Sequence, residues 1–188
     1  MTGLGARYWL PTGVTLIRIL AVPVMVYLIL ESRYTPAFWL LVGAGISDAL
    51  DGFLAKRLNA VSRVGSYLDP MADKALIVAV FLSLGHMGQV PVWLVILVVF
   101  RDALIVAGAM LYHTLTQALR VEPLKISKAN TAAQIVLVGL VLAKLGLGLA
   151  IADVTVVATY IVAATTFASG AAYVWTWGRR IFALEDSE

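Results

Sequence analysis

The sequence contains no cysteine, which excludes disulfides, thiolate metal sites and cysteine nucleophiles. Its two histidines, His86 and His113, are too few and too far apart for an imidazole metal centre. Charge is scarce as well: 13% of the 188 residues are charged, against 61% hydrophobic. That is far from the balance of a water-soluble domain. No low-complexity tract interrupts the chain, and only Glu185–Glu188 reads as a frayed polar tail. The marks of a cleavable signal are missing, because the first apolar run carries Arg18 and no small-residue cleavage site follows it. That run is expected to stay as a helix. No internal repeat of the kind found in many transporters is visible.

What remains is apolar sequence in blocks. A membrane-spanning helix needs roughly 20 apolar residues. Six stretches qualify: Val14–Leu30, Pro36–Leu58, Tyr67–Gly85, Val90–Tyr112, Ile126–Leu147 and Val154–Trp177. The expected fold is therefore all-α, a bundle of six membrane helices forming one domain over residues 1–188. Arg7, the Lys56, Arg57 and Arg63 group, the Arg120, Lys125 and Lys128 group, and Arg179 and Arg180 fall on one side of that bundle. Arg33 and Lys144 fall on the other. The asymmetry predicts a cell (inner) membrane protein with both termini cytoplasmic. Tyr8, Trp9, Trp39, Trp93, Trp175 and Trp177 stand near predicted span ends, where aromatic anchors sit. The net charge of +3, gathered at segment ends, suits anionic lipid headgroups better than nucleic acid.

The stretch Ser47–Lys74, SDALDGFLAKRLNAVSRVGSYLDPMADK, breaks the apolar pattern. Asp48, Asp51, Asp69 and Asp73 lie within or beside apolar helices. An ionised carboxylate at membrane depth costs several kcal/mol unless it is paired or holds a cation. Asp48 and Asp51 are three apart, Asp69 and Asp73 four apart, so each pair shares a helical face. The short loop around Asn59–Arg63 makes the two helices antiparallel neighbours, which lets the pairs converge. Oxygen ligands without sulfur or imidazole favour Mg2+ or Mn2+ over zinc, and such sites commonly grip phosphate oxygens. Gly52 and Gly65 flank the acidic faces, where a glycine admits either a packed helix or a ligand. Ala55 keeps the same wall smooth. Asp69 before Pro70 also reads as a helix N-cap followed by a first-turn proline, a reading that leaves the other three aspartates unexplained.

These residues resemble the signature of the CDP-alcohol phosphatidyltransferases, D-x-x-D-G-x-x-A-R-x8-G-x-x-x-D-x-x-x-D. Asp48, Asp51, Gly52, Ala55, Gly65, Asp69 and Asp73 match with every gap of the right length. Lys56 stands where the signature has arginine, with Arg57 next to it; lysine keeps the charge but loses bidentate phosphate recognition. The resemblance extends to the six-span layout and to Thr15–Arg18 at the first helix. It implies an attack by an acceptor hydroxyl on the β-phosphorus of a CDP-linked lipid, with release of CMP. It implies two divalent ions held by Asp48, Asp51 and Asp69, with Asp73 as the base that also touches a metal. It implies a nucleotide site lined by Gly52, Ala55, Lys56, Arg57 and Gly65, and a homodimer.

The acceptor alcohol is to be chosen by the rest of the chain. Arg101 and Asp102, charges inside the fourth helix, either pair locally or meet the acceptor. Lys125 and Lys128 serve topology or, with Arg18 and Arg63, form a basic pocket for a second phosphate. RDALIVAGAMLY (Arg101–Tyr112) and EPLKISKANTAAQ (Glu122–Gln134) are closer to the cardiolipin synthases of this family than to its glycerol-phosphate enzymes. Phosphatidylglycerol is thus the expected acceptor, with glycerol 3-phosphate as the alternative. A cation transporter is the reading from a different class. It predicts carboxylates spread across the membrane or a repeat, whereas all four aspartates cluster toward one face.

Overall fold

The structure, a computed structural model, describes residues 19–58, 63–116 and 125–185, with side chains for 19–47, 74–108, 110, 125–176 and 179. Among these residues every regular element is an α-helix and there is no strand. We number them α1 (Ile19–Leu30), α2 (Tyr34–Leu58), α3 (Arg63–His86), α4 (Val92–Thr116), α5 (Lys125–Leu147) and α6 (Ala152–Glu185). Hydropathy places their bounds to within about one turn, with two exceptions. The beginning of the first stretch, Val14–Arg18, lies outside the described residues. The last helix continues past Trp177, where apolar sequence ends, to Glu185.

Two compact units divide the chain. One gathers the described residues of Met1–Gln89 and Val138–Ile151, the other those of Val90–Leu137 and Ala152–Glu188. In the first unit, α1, α2, α3 and the second half of α5 bury Met25, Ile29, Ala37, Val80, Phe81, Leu84 and Leu142. Its turns are closed by their own backbone. After α1 the Arg33 amide donates to the Leu28 carbonyl at 2.8 Å and the Ser32 amide to that of Ile29 at 3.0 Å. This is a Schellman motif with Ser32 in the left-handed region at φ 56°. The same closure ends α3, where Gly88 takes φ 68° and the Gln89 amide reaches the Leu84 carbonyl at 2.9 Å. At the end of α5, Gly146 lies against the start of α2. The Thr35 hydroxyl donates to the Gly146 carbonyl at 2.5 Å, satisfying one of the acceptors a helix C-terminus leaves open.

In the second unit α4 packs on α6. Leu94, Val98 and Arg101 recur every three or four residues along the inward stripe of α4, as do Val162, Thr166, Ser169 and Tyr173 along that of α6, with Thr155 two turns before Val162. Trp93 and Tyr160 bring their rings to 6.2 Å.

Both units turn apolar side chains outward. Leu20, Val24, Trp39, Ile96, Phe100, Val156, Phe167 and Trp175 are all exposed, a larger apolar exterior than a water-facing domain carries. By length and composition, α5 and the Ala152–Thr176 part of α6 are able to cross a membrane. Ser83, Thr131, Thr159 and Thr176 each donate their hydroxyl to the carbonyl four residues earlier, so these polar groups are satisfied inside their own helices.

Candidate functional site

The acidic motif falls on two helices. The last turns of α2 carry Asp48, Asp51, Gly52, Ala55, Lys56 and Arg57; the first turns of α3 carry Arg63, Gly65, Asp69 and Asp73. The helical backbone thus realises the three- and four-residue spacings as single turns. Because α3 already runs from Arg63, Asp69 and Pro70 stand inside a helix, and the N-cap reading of that pair is corrected. A proline there has no N–H to give the Ser66 carbonyl. The side chains of all ten residues, together with Arg18 and the 59–62 connection, lie outside the described part. Among the described residues no group of three acidic or imidazole side chains could hold a metal.

The site that the described side chains do build is polar and deeply buried, in the unit formed by α4, α6 and the first half of α5. Arg101 is 2% exposed and all three of its guanidinium nitrogens donate hydrogen bonds. Nη1 donates to Asp102 Oδ1 at 2.7 Å, Nη2 to Ser127 Oγ on α5 at 2.7 Å, and Nε to Ser169 Oγ on α6 at 3.2 Å. Nη2 also reaches the Ser169 hydroxyl. Of the two sequence readings of Arg101 and Asp102, the local ion pair is therefore present. A side chain this buried needs such partners, since an uncompensated charge in an apolar interior is costly. The planar fork of arginine lets one group tie three helices together.

One turn further along α5, Asn130 is fully buried and Gln134 is 2% exposed. Asn130 Oδ1 accepts from Thr165 Oγ1 at 2.9 Å and from Thr166 Oγ1 at 2.8 Å, both on α6. Among the described residues, Asn130 Nδ2 and Gln134 Nε2 have no hydrogen-bond partner. Asn130, Gln134, Thr166 and Ser169 are not among the candidate residues read from the sequence. A signal was available: Ser127, Asn130 and Gln134 are spaced three and four apart in an apolar helix, and continue as Leu137 and Val141. Lys125 and Lys128, at the start of the same helix, are exposed.

Comparison with known proteins supplies the family, which geometry alone does not. Residues 8–176 match the family described as CDP-alcohol phosphatidyltransferase. A rat protein named cardiolipin synthase (CMP-forming) is 37% identical over 150 residues, covering 71% of this chain and 50% of the relative. Its human counterpart of the same name is 36% identical over 150 residues, with the same coverage. A rice protein named CDP-diacylglycerol–glycerol-3-phosphate 3-phosphatidyltransferase 1, chloroplastic, is 36% identical over 182 residues, covering 87% of this chain and 55% of the relative. The chain spans about half the length of these curated relatives. With the acidic motif carried on two successive helices and nearly the whole chain matched, the protein belongs to the CDP-alcohol phosphatidyltransferase family.

Proposed function

We propose that this protein transfers the phosphatidyl group of CDP-diacylglycerol to an alcohol, releasing CMP, with phosphatidylglycerol as acceptor and cardiolipin as product. The observation that carries the reading is the D-x-x-D-G…G-x-x-x-D-x-x-x-D array, Asp48 to Asp73, on α2 and α3 of a chain in this family. The acceptor hydroxyl oxygen forms a bond to the β-phosphorus. The bond from that phosphorus to the bridging oxygen breaks, CMP leaves with the electron pair, and the hydroxyl proton passes to Asp73. Asp48, Asp51, Asp69 and Asp73 offer all-oxygen ligands of the kind that would hold two Mg2+ or Mn2+ ions. Such ions, when bound, neutralise the diphosphate and the charge developing on the leaving group. Gly52, Ala55 and Gly65 leave room for the nucleotide, and Lys56 and Arg57 supply positive charge to it.

For the acceptor, Lys125 and Lys128 are exposed at the N-terminal end of α5, where the helix dipole also favours an anion. By sequence, Arg18, Arg63 and Arg101 are the other basic residues proposed for the acceptor. The named activity of the rat and human relatives supports phosphatidylglycerol. The rice relative, which covers more of this chain, supports glycerol 3-phosphate as the second reading. The exposed apolar helix faces support six spans in the cell membrane. The distribution of lysine and arginine supports cytoplasmic termini and a cytoplasm-facing site. Family likeness supports a homodimer.

Purified full-length protein in detergent, given CDP-diacylglycerol, Mg2+ or Mn2+ and one acceptor at a time, should release CMP. Asp73→Asn should lower turnover at least ~100-fold, the scale of a lost general base, with an unchanged melting temperature. Absence of CMP with phosphatidylglycerol, glycerol 3-phosphate, serine and inositol would sink the transferase reading; retained turnover in Asp73→Asn would remove the base from that position.

A further inference from the structure

The inward stripe of α5 changes character halfway. Ser127, Asn130 and Gln134 occupy it first, and Leu137 and Val141 continue it. Leucine at 134 would simply extend the apolar stripe, whereas a buried amide N–H lacking a partner carries its full desolvation penalty. Turning the Asn130 amide over does not help. The Thr165 and Thr166 hydroxyls would then accept from Nδ2, and Oδ1 would take the unpaired position. Thr165 Oγ1 also lies within hydrogen-bonding range of the carbonyls of Ile161 and Val162, so its single proton is contested. The hydrogen-bonding capacity of the two carboxamides exceeds what the surrounding side chains offer.

We propose that Asn130 and Gln134 are specificity-determining donors whose amide N–H groups hydrogen-bond the hydroxyl and phosphodiester oxygens of the acceptor headgroup. The inference rests on the phosphatidyltransferase reading and adds two residues to its acceptor end. Carboxamides are uncharged, so they suit hydroxyl and ester oxygens better than they suit a diphosphate. The CDP end is already accounted for by the motif on α2 and α3. Along α5, Gln134 follows Asn130 by four residues, about one turn and roughly 6 Å of rise, so the two amides share one face. That is the scale of neighbouring hydroxyl and phosphodiester oxygens in one headgroup. Both candidate acceptors, phosphatidylglycerol and glycerol 3-phosphate, have this chemistry. An analogue lacking the hydroxyl would leave the same amides unpaired, which is how such a site discriminates. The competing occupant is an ordered water held for structural reasons.

The test is steady-state kinetics on the full chain in detergent. Each acceptor is varied at saturating CDP-diacylglycerol and the reverse, with melting temperatures alongside. Gln134→Leu and the isosteric Asn130→Asp should each raise the acceptor KM about tenfold, the loss of one hydrogen bond. The KM for CDP-diacylglycerol should stay within about twofold, and Gln134→Leu should not lower the melting temperature, since an unpaired buried amide is being removed. If Gln134→Leu does not fold, Gln134→Glu keeps the shape, removes the donor and should give the same KM split. An acceptor KM within about twofold of wild type in both positions would overturn the proposal, and a lowered melting temperature in that case would assign the amides to a structural water. Wild-type protein that releases no CMP with either acceptor would instead bring down the transferase reading, and this inference with it.

Discussion

At the scale of single residues, Arg101 shows how far a charge in an apolar sequence can be read. Its place inside an apolar helix said that it must face inward and find a partner, and adjacent Asp102 was one candidate. Ser127 and Ser169 could not be foreseen, because they lie 26 and 68 positions away and serine carries no signal of its own in a membrane helix. The contact geometry makes a definite prediction. Arg101→Lys keeps the charge but replaces a fork with a point donor, and should lower stability by about 1–3 kcal/mol. Arg101→Ala should cost about 3–5 kcal/mol, as removal of one partner of a buried pair does. Ser169→Ala made on top of Arg101→Ala should add little, because its hydroxyl serves the guanidinium. Thermal unfolding in detergent reads all three, and full additivity of the two alanine changes would show that Ser169 and Arg101 are not coupled. Asn130 and Gln134 were missed for a related reason. Their spacing marks one polar face of α5, but what that face meets is known only from its neighbours on the facing helix.

At the scale of elements, the six apolar stretches foretold the helices well, because hydropathy and length constrain a long helix strongly. The errors came where other forces set the end. Backbone propensity carried α6 beyond its apolar run, and α3 began before the Asp69–Pro70 pair that resembled a start signal. Two glycines of α5 separate local propensity from tertiary contact. A Cβ on Gly146 would stand 2.8 Å from backbone atoms of Tyr34 and Thr35, whereas one on Gly139 would meet nothing within 4 Å. Gly146→Ala should therefore destabilise by about 1–3 kcal/mol, since a backbone cannot turn aside as a side chain can. Gly139→Ala should be neutral or stabilising by up to about 1 kcal/mol, the gain in helix propensity. Equal melting temperatures for the two variants would mean that the junction of α5 with the start of α2 is looser in solution than these contacts require.

At the scale of the whole molecule, the family was legible from the acidic motif, because fixed residue types at fixed gaps are a stringent pattern. The choice of alcohol was not, since the sequence does not record how its helices pair. Topology is testable with an advantage the chain itself provides. Lacking cysteine, it accepts single reporters without background. With six spans, Ser32→Cys and Gln89→Cys should react with a membrane-impermeant maleimide from the face opposite to Ser187→Cys in sealed vesicles of known orientation. Labelling of all three from one face would refute the six-span arrangement. That arrangement also gives the closed turns at Ser32 and Gly88 a meaning for biogenesis. In that arrangement two of the far-side connections, Glu31–Arg33 and Met87–Pro91, are a few residues long, already hydrogen-bonded to the helices they end, and carry only Glu31 and Arg33 as charges. Consecutive helices joined this way can enter the bilayer as hairpins, so the insertion machinery has almost no polar chain to carry across.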